Sequence, residues 1–162
     1  MLKPAKNPIQ QTAILCLVTL FLTYPKHGGF MLGFVVVILF PSLLKSLYYI
    51  FIKNKDRKQR IVQTTLWAIT CSITIIHHIY LYKTTQTYAE EVSNSIVMYY
   101  QKNGDYPTSY DVIGLDKAAM REYGLYYSYK DKVPFLIYRA TWIVFDTYAF
   151  NFNTKKWGYK PS

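Results

Sequence analysis

Cysteine is nearly missing from this chain: its 162 residues include two, Cys16 and Cys71, and both fall inside apolar runs. That excludes a disulfide framework of the kind that staples small secreted domains. Thiol-based zinc binding is excluded with it, because metal-ligand spacing is absent. Acidic residues are scarce as well, nine against nineteen Lys and Arg, for a formal charge of +10. The shortage is local. Up to Tyr82 nine basic residues face the single acid Asp56, whereas from Lys83 onward ten face eight. A nucleic-acid-binding protein gathers its cations on the folded module that meets phosphate. Here the later half is close to neutral, which argues against nucleic acid as a partner and assigns the basicity to the apolar half. Proline and glycine do not occur between Arg60 and Asn103, so nothing in that stretch breaks a helix.

What the chain has in quantity is apolar and aromatic side chains, 51% and 18% of residues, which excludes a disordered chain. The apolar residues gather first into three runs, 9–24, 30–52 and 61–82. About 20 helical residues cross a hydrocarbon core of roughly 30 Å, so the first run is at the lower limit and the other two are long enough. A cleaved signal peptide would need a small-x-small site, which "YPKHGGF" does not offer. The loop "KNKDRKQR" carries Lys53, Lys55, Arg57, Lys58 and Arg60 against one acid, and the positive-inside rule holds such a loop in the cytoplasm, in contact with anionic lipid. By alternation the N-terminus with Lys3 and Lys6 is cytoplasmic, "PKHGG" is a short outer turn, and residues 83–162 are extracytoplasmic. Pro41 is expected to kink the second span, and Lys45 to snorkel toward the cytoplasmic surface.

Beyond Tyr82 the apolar residues thin to a stripe, with Tyr88, Ala89, Val92, Ile96, Tyr99 and Tyr100 at three- and four-residue spacing and Glu90, Glu91, Ser93 and Asn94 opposite. The third span therefore continues as one helix from Arg60 to about Lys102, and residues 83–87 are helical. Asn103-Gly104 supplies a left-handed cap and Pro107 prevents resumption. After Gly124 the period becomes two. "LYYSY", "PFLIYRATWIVF" and "DTYAFNFN" read as strands, with "KDKVP" and "NTKKWG" as polar turns. The expected fold class is α+β: three transmembrane helices in a membrane domain, 1–82, the third running into an amphipathic helix that packs against a sheet of three or four antiparallel strands in an outer domain, 83–162.

The order of these parts resembles the type IV pilins and the pseudopilins of type II secretion. In that family a membrane helix runs unbroken into an amphipathic helix, ends in a Tyr-containing turn with N-G-x-Y-P-x-S and a Gly-Leu, and is followed by a small antiparallel sheet. Asn103, Gly104, Tyr106, Pro107, Ser109, Gly114 and Leu115 match that wording, and the likeness covers roughly residues 61–162. Two features depart from it. A pilin has one span, and its mature chain begins at a Gly-Phe cleavage site with Glu at the fifth position. Here Gly29-Phe30 precedes an apolar run, but Phe34 stands where the Glu would be, so no processing is expected at that site.

Catalytic chemistry is not legible. His77-His78 point about 100° apart on a helix, without an acid or Cys beside them, and read as interfacial polar residues. Glu90, Glu91, Asp111, Asp116 and Asp146 form no recognisable arrangement of nucleophile, base and orienting group. No cofactor or metal is implied and no enzyme activity is expected. The expected role is a bacterial inner-membrane interaction protein whose outer domain meets another membrane or periplasmic protein, accessory to a pilus or secretion apparatus. An immunity protein against a membrane-acting or periplasmic toxin is the alternative, and a small transporter or membrane enzyme the third.

Overall fold

The computed structural model describes residues 7–53, 56–142 and 145–160. Lys3, Lys6 and Lys55, which the positive-inside rule assigns to the cytoplasmic side, lie outside the described residues. The chain is α+β, with α1 at Pro8–Thr23, α2 at Gly29–Tyr48, α3 at Arg57–Asn103 and α4 at Lys117–Glu122, then strands β1 (Leu125–Lys130), β2 (Val133–Arg139), β3 (Thr147–Asn151) and β4 (Lys156–Lys160). It divides into two compact units, Met1–Ile79 and Tyr80–Ser162, and α3 contributes residues to both.

In the first unit α1 starts where Asn7 accepts the N–H of Ile9, with Pro8 in the first turn, where a missing donor is tolerated. It is 16 residues long, below the ~20 needed to cross a hydrocarbon core. Among the described residues two helical stretches are long and apolar enough to cross a membrane, Gly29–Ile52 and Arg57–Asn103. Helix α2 carries Pro41 in its interior and passes into a π-helical turn at Tyr49–Lys53. Helix α3 is unbroken over 47 residues, including 83–87.

In the second unit the strands form an antiparallel meander in the order β1-β2-β3-β4. Its inner face packs on α3. Ala89, Val92 and Ile96 are fully buried against Leu125, Tyr127, Leu136, Tyr138 and Phe150. Register accounts for the selection: Leu125 pairs with Tyr138 and Tyr127 with Leu136, so alternate residues of both strands face the helix.

Four local readings of the sequence are corrected. Ser93, placed on the polar face, is buried, its hydroxyl donating to Glu90 O at 3.0 Å. Back-bonding of this kind lets a small hydroxyl enter a core. "PFLIYRATWIVF" is not one strand: the ladder stops at Arg139, and the Ala140 N–H donates instead to Asp146 O at 2.8 Å. Only part of "NTKKWG" is a turn. Asn151 Oδ1 accepts from the N–H groups of Asn153 and Thr154, Lys155 adopts a positive φ of 53°, and Lys156 already begins β4. In "KDKVP" the turn is Asp131-Lys132, both at positive φ, and Pro134 belongs to β2. Pro134 is tolerated because β3 pairs with β2 only from Ile137 onward, which leaves no ladder bond to lose there. The 3₁₀ turn Tyr110–Ile113 and the short helix α4 were not foreseen.

Candidate functional site

Of the basic residues of "KNKDRKQR", Arg57 and Lys58 are exposed in the first turn of α3. Arg60 lies partly covered, with its guanidinium carbon 4.5 Å from the centre of the Tyr49 ring, a cation–π contact. Asp56, at φ 53°, accepts the Arg60 N–H on its carbonyl and so starts the helix. Lys53 closes the π-helical turn. The ring contact fixes Arg60, while Arg57 and Lys58 lie at the surface of the first turn.

The residues of the N-G-x-Y-P-x-S wording form the corner between α3 and the sheet. Gly104, at φ +78°, donates its N–H to Tyr100 O at 2.8 Å, the left-handed cap expected at this position, and Asn103 Nδ2 donates to Tyr99 O at 2.9 Å. Tyr106 stacks on Tyr100 at 4.3 Å and meets Phe152 edge-on at 5.1 Å. Pro107 is fully buried, and its carbonyl accepts the Tyr127 hydroxyl at 2.7 Å. Ser109 precedes the 3₁₀ turn without capping it through its side chain. Gly114, at φ +72°, ends that turn, and Leu115 packs against the core. Asp105 accepts from the Tyr106 N–H at 2.8 Å and from the Tyr129 hydroxyl. The Tyr129 bond, then the Tyr106 bond, hold the Asp105 carboxyl below its ordinary range, and the same contact pushes Tyr129 up to about 12. Burial pushes Tyr127 up as well. Taken together these residues tie α3 to β1, a structural task.

The polar seam of the first unit was missed by sequence reasoning. The buried residues of α1 are Thr12, Cys16, Thr19 and Thr23. Across from them on α3 lie the buried Thr70, Thr74 and His78. Gln63 Nε2 donates to Thr12 Oγ1 at 3.0 Å and to Pro8 O at 3.2 Å, and Thr23 and Thr74 share a hydroxyl contact at 3.3 Å. At the other end His78 Nε2 donates to Thr23 O at 2.8 Å and His77 Nε2 to Tyr24 O at 3.1 Å, with the His77 ring stacked on Tyr24 at 4.9 Å. The imidazole pair thus satisfies carbonyls that α1 leaves open at its C-terminus. Among the described residues no group of three or more His, Cys, Asp or Glu could hold a metal ion. The legible signal was the spacing of four, three and four from Thr12 to Thr23, a helical stripe of small polar residues inside an apolar run.

Glu90 and Glu91 are exposed on α3, Asp111 and Asp116 lie in and after the 3₁₀ turn, and Asp146 precedes β3. No two of them are joined by a hydrogen bond or ring contact, and Asp116 caps α4 by accepting the Ala118 N–H. Compared with known proteins, the chain matches no family model, no curated protein and no solved structure.

Proposed function

We propose that the chain is a multi-pass protein of a bacterial cytoplasmic membrane, in which α1, α2 and the first part of α3 cross the bilayer. On this reading α3 emerges on the outer side to carry a non-enzymatic, pilin-like interaction domain that serves a pilus or secretion apparatus. The observation that carries it is the inverted polarity of the first unit. The buried side of α1 is threonine and cysteine, whereas Leu17, Phe21, Val37 and Ile38 are 66–81% exposed. In water that distribution would leave a large apolar surface uncovered. In lipid it is the stable one, since polar side chains gain partners only inside the bundle. Helix α1 is short for a span, and His77 and His78 supply partners for the Tyr24 and Thr23 carbonyls at its end, as a helix that stops inside the interface requires.

Support for an interaction role comes from the outer face of the sheet. Tyr126 and Phe135 touch edge-on at 6.4 Å and, with Val133, are 44–64% exposed. Aromatic residues standing together at a surface are what a protein partner buries. The helix, corner and sheet are the parts on which the pilin resemblance rests.

Reporter fusions at Lys55 and Ser162 test the reading. A reporter active only after export is expected to be silent at Lys55 and active at Ser162, and activity at Lys55 overturns the topology. A photocrosslinker at Phe135 is expected to join the chain to a pilus or secretion component, and one at Glu90 is not.

A further inference from the structure

The second unit contains a cleft of about 290 Å³ that brings aromatic rings and a carboxylate together. It is lined by Tyr82 of α3, Thr141 and Trp142 after β2, Asp146 before β3, Tyr148 of β3 and Tyr159 of β4. The rings stand at angles to one another: Tyr82 and Tyr148 are 6.4 Å apart and tilted by 55°, Tyr148 and Tyr159 are 5.4 Å apart and tilted by 57°. Tilted rings that line one cleft can offer it both faces and edges, and π-faces attract cations. Asp146 supplies charge at the same place. It is 7% exposed, it accepts a hydrogen bond from the Tyr159 hydroxyl, and its carbonyl is anchored by the Ala140 N–H. Among the described residues no cation pairs with it. A carboxylate held near a low-dielectric wall without a counter-ion is costly, and a bound cation would relieve that cost. Burial, then a hydrogen bond with Tyr82, pushes the Tyr148 phenol up to about 12, which keeps it neutral at any physiological pH.

One further observation selects among cations. Thr141 lines the cleft, and its buried hydroxyl has no hydrogen-bond partner among the described residues. A quaternary ammonium has no N–H and cannot serve it, whereas a primary ammonium can donate to this hydroxyl and to Asp146 together. We infer that the cleft binds a primary alkylammonium group, received by the faces of Tyr82, Trp142, Tyr148 and Tyr159, the Asp146 carboxylate and the Thr141 hydroxyl. An aminophospholipid headgroup and a free organic amine both carry that chemistry.

Tryptophan fluorescence of the full chain in neutral detergent provides the test, with the signal assigned to the cleft by its loss in Trp142→Phe. Titration with n-butylammonium is expected to saturate, tetramethylammonium to bind more weakly by about tenfold, and n-butanol to give no saturable response. Asp146→Asn should weaken n-butylammonium by at least about tenfold, the scale of a lost charge-assisted contact. Thr141→Val removes a hydroxyl that has no partner among the described residues, so this variant is expected to fold, and it should bring the affinities of the two cations together. The absence of saturable n-butylammonium binding overturns the proposal, as do equal binding of n-butanol or unchanged binding by folded Asp146→Asn. If Asp146→Asn does not fold, Thr141→Val decides between primary and quaternary recognition by itself. Repeating the titration in phosphatidylcholine nanodiscs with and without phosphatidylethanolamine then assigns the source. A titration shifted to higher amine concentration means that the headgroup occupies the cleft, and an unshifted one points to a soluble amine.

Discussion

A methyl group added at Gly28 would stand 2.7 Å from Thr23 O and 2.9 Å from Leu22 O, closer than real Cβ contacts come. Gly28 lies in the turn between α1 and α2, and the Thr23 carbonyl it approaches is the one that His78 caps. Gly28 of "KHGG" therefore has a packing reason to be glycine. In the second unit the decisive single residues are apolar. Ile96 is fully buried in the core formed by α3 and the sheet, so Ile96→Ala is expected to destabilise that unit by about 2–5 kcal/mol, the range for emptying such a site. Tyr127→Phe should cost about 1 kcal/mol by removing the bond to Pro107 O and leaving that buried carbonyl without the hydroxyl. Chemical denaturation followed by circular dichroism checks both. A Tyr127→Phe loss as large as that of Ile96→Ala would mean that the corner, and not the core, dominates stability.

At the level of elements, folding favours the neutral form of several tyrosines of the sheet. Tyr127, Tyr138 and Tyr148 are pushed above the ordinary phenol value of 10.0 by burial, and Tyr129 is raised to about 12 by its bond to Asp105. A raised folded value means that folding favours the protonated phenol, so its contribution is complete below 10.0 and is lost as pH climbs toward about 12. The unit is expected to unfold in that window, with tyrosinate absorbance and loss of strand ellipticity rising together. Tyrosinate that forms with the ellipticity intact would count against it. The seam between α1 and α3 makes a separate prediction. Gln63→Leu removes hydrogen bonds to Thr12 and Pro8, and His78→Leu removes the one to Thr23 O. Each is expected to cost about 1 kcal/mol in detergent, the scale of interhelical hydrogen bonds in membranes, and the two should add because they sit at opposite ends. Unchanged thermal melting of the double variant would show that α1 is held by something else.

For the whole molecule, intact mass distinguishes a retained N-terminal unit from a pilin-type chain cut at Gly29-Phe30. Full-length mass is expected, because Phe34 occupies the position where a pilin carries its acid and because Gly28 and Gly29 are buried where the turn enters α2. Loss of the first 29 residues would move the chain toward a true pilin. The sequence by itself determined the elements that depend on local periodicity and punctuation. The length of α3 follows from an interval without proline or glycine, its end from Asn103-Gly104, and the α+β class from the change of period after Gly124. The basic loop was legible for the same reason, since charge clustering needs no partner to be seen. What only tertiary structure decided were the matters of facing and pairing. Ser93 enters the core and Tyr100 stands at its 41% exposed edge because of where the sheet sits on the helix. The fourth strand emerges from "KKWGYK" because β3 offers it a ladder that overrides its lysines and glycine. The threonine and histidine seam and the aromatic cleft at Asp146 each unite residues from distant parts of the chain, and neither exists until packing brings those residues together.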